Sequence, residues 1–192
     1  MQIRSATSAD AGHMAFLINL AGDGVPEYLW SGMAEGDQTG LEVGEQRAAA
    51  QQGSFSHGST RLACDGDTVL GMLVAYRIDD PYEMGDLNEY PEVVRPLIEL
   101  EALAPGSWYI NAIATYEQHR GKGVGTALMA ETEAAAREAG CTNLSLIVAD
   151  QNTTASRLYR HLGFAATASR PVVPFPGGHL AGDWELMLKP LD

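Results

Sequence analysis

The spacing of apolar and polar positions along the chain switches repeatedly between the two-residue period of a strand and the 3.6-residue period of a helix. Gln2–Ser5 predicts a short first strand. Thr7 or Ser8 is placed to cap a helix whose apolar residues Met14, Phe16, Leu17 and Leu20 fall at helical spacing before Gly22 and Gly24 stop it. Further helices are expected over 25–33 and 43–52, the latter with little amphipathic contrast among its alanines and glutamines. Thr60–Cys64 and Thr68–Ile78 flank Asp65-Gly66-Asp67, the pattern of two strands joined by a tight turn.

Residues 79–105 interrupt this alternation as an insertion with prolines at 81, 91, 96 and 105 and room for one short helix over 93–103. Trp108–Thr115 then predicts a strand. Val124–Ala139 predicts a helix, with Val124, Ala127, Leu128, Ala135 and Ala139 facing inward and Gly140 ending it. Asn143–Ala149 is apolar enough for a buried strand. A helix over 152–162 closes at Gly163, and two strands, 164–173 and 184–189, are separated by a Pro- and Gly-rich loop, VPFPGGHLAGD. The order implies a layered α/β (α+β) fold, a central mixed sheet with helices packed on it, in a single domain over 1–192.

Composition narrows the functions open to such a domain. The chain has 192 residues, 45% of them hydrophobic, enough for a sizeable core, and no run of apolar residues is long enough to span a bilayer. The N-terminus lacks the basic-then-apolar layout of an export signal, so a cytoplasmic location is expected and no membrane partner. Cys64 and Cys141 show no metal-ligand spacing and read as reduced core thiols; no metal is expected. A net charge of −13 argues against a nucleic-acid partner, which needs a basic surface, and suits a small molecule or a cationic group. Asp79, Asp80, Glu83, Asp86, Glu89, Glu92, Glu99 and Glu101 crowd the insertion, relieved by Arg95 alone; such a run is ordinarily a solvated face.

Against that acidity, HRGKGVGTAL, His119–Leu128, sets three glycines at every second position beside two cations. It lies between a strand and a helix, so its amides project from a helix N-terminus, where unpaired N–H groups and the helix dipole favour an anion. Gly121, Gly123 and Gly125 clear side chains from the backbone while Arg120 and Lys122 add charge, and a pyrophosphate fits this arrangement. A Walker loop would need Ser or Thr after Lys122, and the dinucleotide fingerprint needs a different glycine spacing near a first strand. The plain alternative is a glycine-rich connection with solvated cations.

A second motif follows, NTTASRLYRHLGF, Asn152–Phe164. Together, R-G-K-G-V-G and N-x-x-A-x-x-L-Y-x-x-x-G-F resemble the GNAT superfamily of acyl-CoA-dependent N-acetyltransferases, closely over Ser107–Phe164 and elsewhere by order of elements. The resemblance implies a mostly antiparallel mixed sheet of about six or seven strands flanked by helices. It implies acetyl-CoA as acyl-donor substrate, its pyrophosphate cradled by Arg120, Gly121, Lys122, Gly123, Val124, Gly125 and Thr126. It also implies pantetheine pairing to the backbone of Ile113, Ala114 and Thr115, a cofactor contact from Asn152, and protonation of the departing thiol by Tyr159. Read without the resemblance, Asn152 is a helix cap and Tyr159 an ordinary half-buried aromatic.

Acetyl transfer needs a neutral amine. A lysine-like amine of pKa near 10.4 costs about 4.6 kcal/mol to deprotonate at pH 7, so a base or water path is required. Many similar enzymes place a glutamate on the strand before the glycine turn, where this chain has Asn111; another group has an acid where this chain has Ile147. Asn111 and the phenol of Tyr109 are candidates to orient a water, and Glu101 or another insertion carboxylate to receive the proton. His119, His161 and His179 are weaker candidates, read as solvated. Residues 23–40, the insertion and the loop over 174–183 are expected to shape the acceptor site, with aromatic faces from Tyr82, Tyr90, Trp108, Tyr116 and Trp184. The expected function is transfer of an acetyl group from acetyl-CoA to a primary amine of a cationic acceptor by direct attack. The alternative is a non-catalytic acyl-CoA-binding sensor or interaction module. Dimers are common among similar proteins, which leaves a homodimer open.

Overall fold

The computed structural model describes residues 1–191. Seven strands are hydrogen-bonded in the order β1-β2-β3-β4-β5-β7-β6, a mixed and mostly antiparallel sheet flanked by helices, as expected. By contacts the chain divides into two compact units, Met1–Tyr76 with Asn111–Thr132, and Arg77–Ile110 with the chain from Glu133 onward.

The first unit holds β1 (Gln2–Ser5), α1 (Ala11–Ala21), α2 (Val25–Ser31), α3 (Gly40–Ala48), β2 (Thr60–Asp65), β3 (Thr68–Arg77, less its last residue) and the second half of β4 (Trp108–Thr115). β1 pairs antiparallel with β2, and β2 with β3 through the Asp65-Gly66-Asp67 turn, where Gly66 takes φ 56°. The core joins Met14, Leu17 and Ile18 of α1, Trp30 of α2, Val43 and Ala48 of α3, and Leu62, Met72, Val74, Ala112 and Ala114 of the strands. The packed face of α1 also takes Ala15, whereas Phe16 and Leu20 are exposed. Helix α3 begins earlier than its alanines suggest because Thr39 and Glu42 form a reciprocal capping box.

The second unit holds α4 (Arg95–Glu101), the first half of β4, β5 (Asn143–Ala149), α6 (Thr153–His161), β6 (Ala165–Pro171) and β7 (Asp183–Pro190). Trp108–Ile110 pairs parallel with Leu144–Leu146, and the ladder ends there; β5 continues antiparallel to β7 through Ala149, and β7 pairs with β6. Arg170 of β6 bonds Glu99 of α4 at 2.5 Å, and Val93 and Leu100 are buried, so the far end of the insertion is packed into the fold. α5 (Val124–Glu138) buries Val124, Leu128, Met129, Thr132 and Ala136. Ala127 and Ala135 are half-buried and Ala139 is exposed past the helix end, which shifts the inward face from the alanines to the larger side chains. Both cysteines are buried and free. Among the described residues no helix is long and apolar enough to cross a membrane.

One ion pair ties β1 to the start of α1. Asp10 receives Arg4 Nη2 at 2.7 Å and Nη1 at 2.9 Å, with the Thr7 amide at 2.8 Å. These bonds, Arg4 first, hold the Asp10 carboxyl well below its ordinary range. A depressed carboxyl stabilises the fold above the pKa of the unfolded chain, near 3.9, and loses that contribution as pH falls through its native value. Asp10→Asn is therefore expected to cost roughly 1–3 kcal/mol at pH 7. It should also flatten the acid limb of stability below about pH 4, as read by urea melts across pH.

Candidate functional site

In the first unit the site starts from β4. Gly71 of β3 has no side chain where a Cβ would come within 2.6 Å of the Ala114 carbonyl, which lets the strands close; Tyr116 N–H bonds the Leu70 carbonyl at 3.0 Å just beyond. Within this unit Asn111–Thr115 is the edge of the sheet, so one row of its main-chain groups faces away from β3. These residues include Ile113, Ala114 and Thr115.

The chain then turns through Arg120–Gly123 into α5. Gly121 and Gly123 take φ 72° and 79°, the left-handed region that L side chains avoid, and nothing lies within 4 Å of where a Cβ would stand on either. Gly125 is already helical and has no positive φ, so its backbone conformation does not call for glycine. The cations fold back onto the loop: Lys122 Nζ donates to the Gln118 carbonyl at 2.9 Å and Arg120 Nε to that of Thr115 at 3.4 Å. The first intrahelical bond runs from Ala127 N–H to the Gly123 carbonyl at 3.0 Å. The amides of Val124, Gly125 and Thr126 thus have no partner within the helix. The result is a helix N-terminus with unpaired N–H groups beside two glycines and two cations.

Asn111 Nδ2 donates to Tyr76 Oη at 2.7 Å, a partner the motif reading did not supply. At the end of β4, Tyr116 Oη meets His13 Nδ1 at 2.7 Å and its ring stacks on Phe16 at 5.4 Å. Burial pushes the Tyr116 phenol up.

In the second unit Asn152 caps α6, its Oδ1 accepting the Ala155 N–H at 3.1 Å. The side chain remains exposed, so the cap leaves it accessible. The buried residues of α6 are Ser156 and Tyr159. Tyr159 is 8% exposed beside Phe164, ring centres 6.0 Å apart, and burial pushes its phenol up to about 12. Ser156 Oγ and Trp184 Nε1 are buried with no hydrogen-bond partner among the described residues.

Glu101, at the end of α4, accepts Tyr82 Oη at 2.9 Å and a second bond from the phenol of Tyr109. The phenol considered above as a water-positioning group thus also donates to a carboxylate. His161 and His179 are exposed and His119 is half-exposed. Among the described residues no cluster of His, Cys, Asp and Glu is arranged to hold a metal.

A family model described as the acetyltransferase (GNAT) family matches residues 28–164. The fold is shared with the polyamine N-acetyltransferase of Drosophila melanogaster at 15% identity over 99% of both chains, TM-score 0.70. It is shared with a ribosomal-protein-alanine N-acetyltransferase of Brucella melitensis at 21% identity over 100% of both chains, TM-score 0.64. The Salmonella typhimurium protein yncA, solved with its cofactor acetyl-CoA, matches at 20% identity over 100% of this chain and 94% of its own, TM-score 0.59. No curated protein sequence matches the chain significantly.

The left-handed turn sets an expected outcome. Gly123→Ala forces an L side chain to φ near 79°, at a cost of roughly 1–2 kcal/mol in stability. Urea melts should show that loss, and Gly125→Ala should show much less.

Proposed function

Because the chain belongs to the acetyltransferase (GNAT) family, we propose that it transfers the acetyl group of acetyl-CoA to the primary amine of a cationic acceptor by direct attack. The observation that carries this reading is the bare turn at Gly121 and Gly123, shaped for a diphosphate and clear of its own side chains. The residues fit the donor. Amides from Gly121 to Thr126, with Arg120 and Lys122, hold the pyrophosphate, and swinging either cation off its loop carbonyl exchanges a bond to a neutral acceptor for one to a charged acceptor. The main-chain edge at Ile113–Thr115 takes the pantetheine arm as an added strand would. Asn152 contributes a contact at the head of α6 while capping it. A cationic acceptor agrees with the net charge of −13 and with structural neighbours named for polyamine and ribosomal-protein-alanine acetylation.

When bound, acetyl-CoA supplies a thioester carbonyl and a thiol leaving group. The phenol of Tyr159 serves that leaving group, and its environment says how. Burial pushes the phenol up to about 12, well above a free thiol at about 8.5, so complete proton transfer to the thiolate is uphill. Tyr159 therefore acts by a hydrogen bond to sulfur that strengthens as negative charge builds there, which burial favours.

Two measurements check the reading. Acetyl-CoA at one hundred times its Kd adds about 2.7 kcal/mol of stability, a rise of very roughly 5–11 °C in Tm for a chain of this size; no shift at millimolar donor would remove the proposal. Tyr159→Phe is expected to lower kcat on the order of a hundredfold or more while leaving the acetyl-CoA-induced Tm shift intact, followed by thiol release with a panel of amines.

A further inference from the structure

The length of the donor, laid along the first unit, fixes where acetyl transfer falls. Between phosphate and sulfur the pantetheine arm counts about twelve chain bonds, as many as about four peptide residues, and so extends roughly 14 Å. Four residues of strand, from Thr115 back to Asn111, cover about 13 Å. Arg120 of the turn reaches the Thr115 carbonyl at 3.4 Å, so the end of the strand and the turn adjoin. An arm that starts at the turn and pairs with the edge of β4 therefore brings its sulfur abreast of Asn111. The turn, the edge and Asn111 all belong to one compact unit.

What Asn111 presents there is set by Tyr76, of the same unit. Ala112 and Ala114 are buried in the core with α1, α2 and α3, so Asn111 alternates onto the opposite face of the strand, where it is half-buried, as Tyr76 is. Tyr76 Oη accepts Asn111 Nδ2 at 2.7 Å. An amide has one donating end and one accepting end. With the nitrogen turned to Tyr76, Oδ1 is directed away from it, and among the described residues Oδ1 receives no hydrogen bond. The strand thus offers a neutral acceptor oxygen, held in one orientation, at the level of the thioester.

We propose that Asn111 Oδ1 receives an N–H of the acceptor amine and that Tyr76, as a positioning residue, holds the amide in that orientation, which favours primary over secondary amines. The inference rests on the acetyltransferase reading above and deepens it to the class of amine used.

The selectivity follows from counting protons. A primary ammonium carries three N–H bonds. One proton passes to water, and the freed lone pair forms the C–N bond to the acetyl carbon. The C–S bond breaks with its electron pair passing to sulfur, and a second nitrogen proton ends on that sulfur. An ammonium, a thioester and a water become an amide, a thiol and a hydronium ion. The third N–H survives in the product amide, so its bond to Oδ1 persists from binding to release. A secondary amine has no surviving N–H and must give up that bond as the reaction proceeds. A neutral amide oxygen suits a group that it holds and does not deprotonate.

The test uses the full chain with putrescine and a peptide with a free N-terminal alanine, each beside an N-methylated counterpart in which every amine is secondary, and follows kcat/KM by thiol release. Wild type is expected to favour each primary amine by about tenfold or more. Tyr76→Phe frees the amide to turn, so the primary amines should lose about three- to tenfold and the secondary amines much less, while the acetyl-CoA Tm shift stays that of wild type. In an Asn111→Asp background either carboxylate oxygen can face the amine, and adding Tyr76→Phe should leave the ratio where it was. A Tyr76→Phe enzyme that keeps the wild-type ratio, or that loses the same factor on both classes, overturns the inference and leaves the acetyltransferase reading standing. So does a drop that persists in the Asn111→Asp background. Should Tyr76→Phe fail to fold, Asn111→Leu, which has no oxygen to offer, must lose the ratio, and an unchanged ratio there overturns the inference instead. A wild-type chain that binds acetyl-CoA yet acetylates neither primary amine removes both.

Discussion

An α-helix cannot satisfy the N–H groups of its own first turn, and at the head of α5 this chain leaves them uncovered. The arrangements around the turn follow from keeping them so. Gly121 and Gly123 sit where a side chain would be strained, with open space around the position of each missing Cβ. Lys122 and Arg120 rest on loop carbonyls, close enough to contribute charge. Val124 and Leu128 are buried, which fixes the axis along which the amides point. The chain as a whole is strongly acidic, yet at physiological salt its distant carboxylates are screened beyond about 8 Å. A diphosphate at the turn feels the local amides and two cations more than the net charge.

Desolvation then acts with opposite consequences on two groups. Removing Tyr159 from water makes its phenol a poorer acid, which suits a role as hydrogen-bond donor to developing charge. Removing Glu101 from water makes its carboxylate a better base, within limits set by Tyr82 and Tyr109. In the acetyl transfer proposed above, the first of these argues against a discrete protonation of sulfur.

Much of this was legible in the sequence where local rules act alone. The bounds of β4 and β5 followed from apolar runs cut off by turn residues, and the Asp-Gly turn between β2 and β3 from its glycine. The head of α6 followed from Asn152. Helix faces were less legible because apolarity was taken as a proxy for burial. Phe16 and Leu20 are exposed, while Thr132 and Ser156, polar by composition, are buried. The start of α3 was missed although Thr39-x-x-Glu42 announces it, because the pattern was read from the apolar residues that follow. The motifs located the turn and Tyr159, but the bonds from Asn111 to Tyr76 and from Tyr82 and Tyr109 to Glu101 depend on how the strands and the insertion fold. Spacing along the chain carries no direct trace of them.

The acidic insertion shows why that distinction matters. Its first half behaves as a solvated run should: Asp79, Asp80, Glu83, Asp86 and Glu89 are all exposed. Its second half does not, because Val93, Pro96 and Leu100 are buried and Glu99 is tied to β6. Anchoring one face of a short helix fixes the remaining faces as well, and the residue next to Leu100 is then held beside β4. A carboxylate brought there by packing and bonded to a phenol differs in its surroundings from the exposed acids before it although its residue type is the same. Which acid of such a stretch leaves the solvent is decided by what the core draws inward, a property of the fold and not of the charge run.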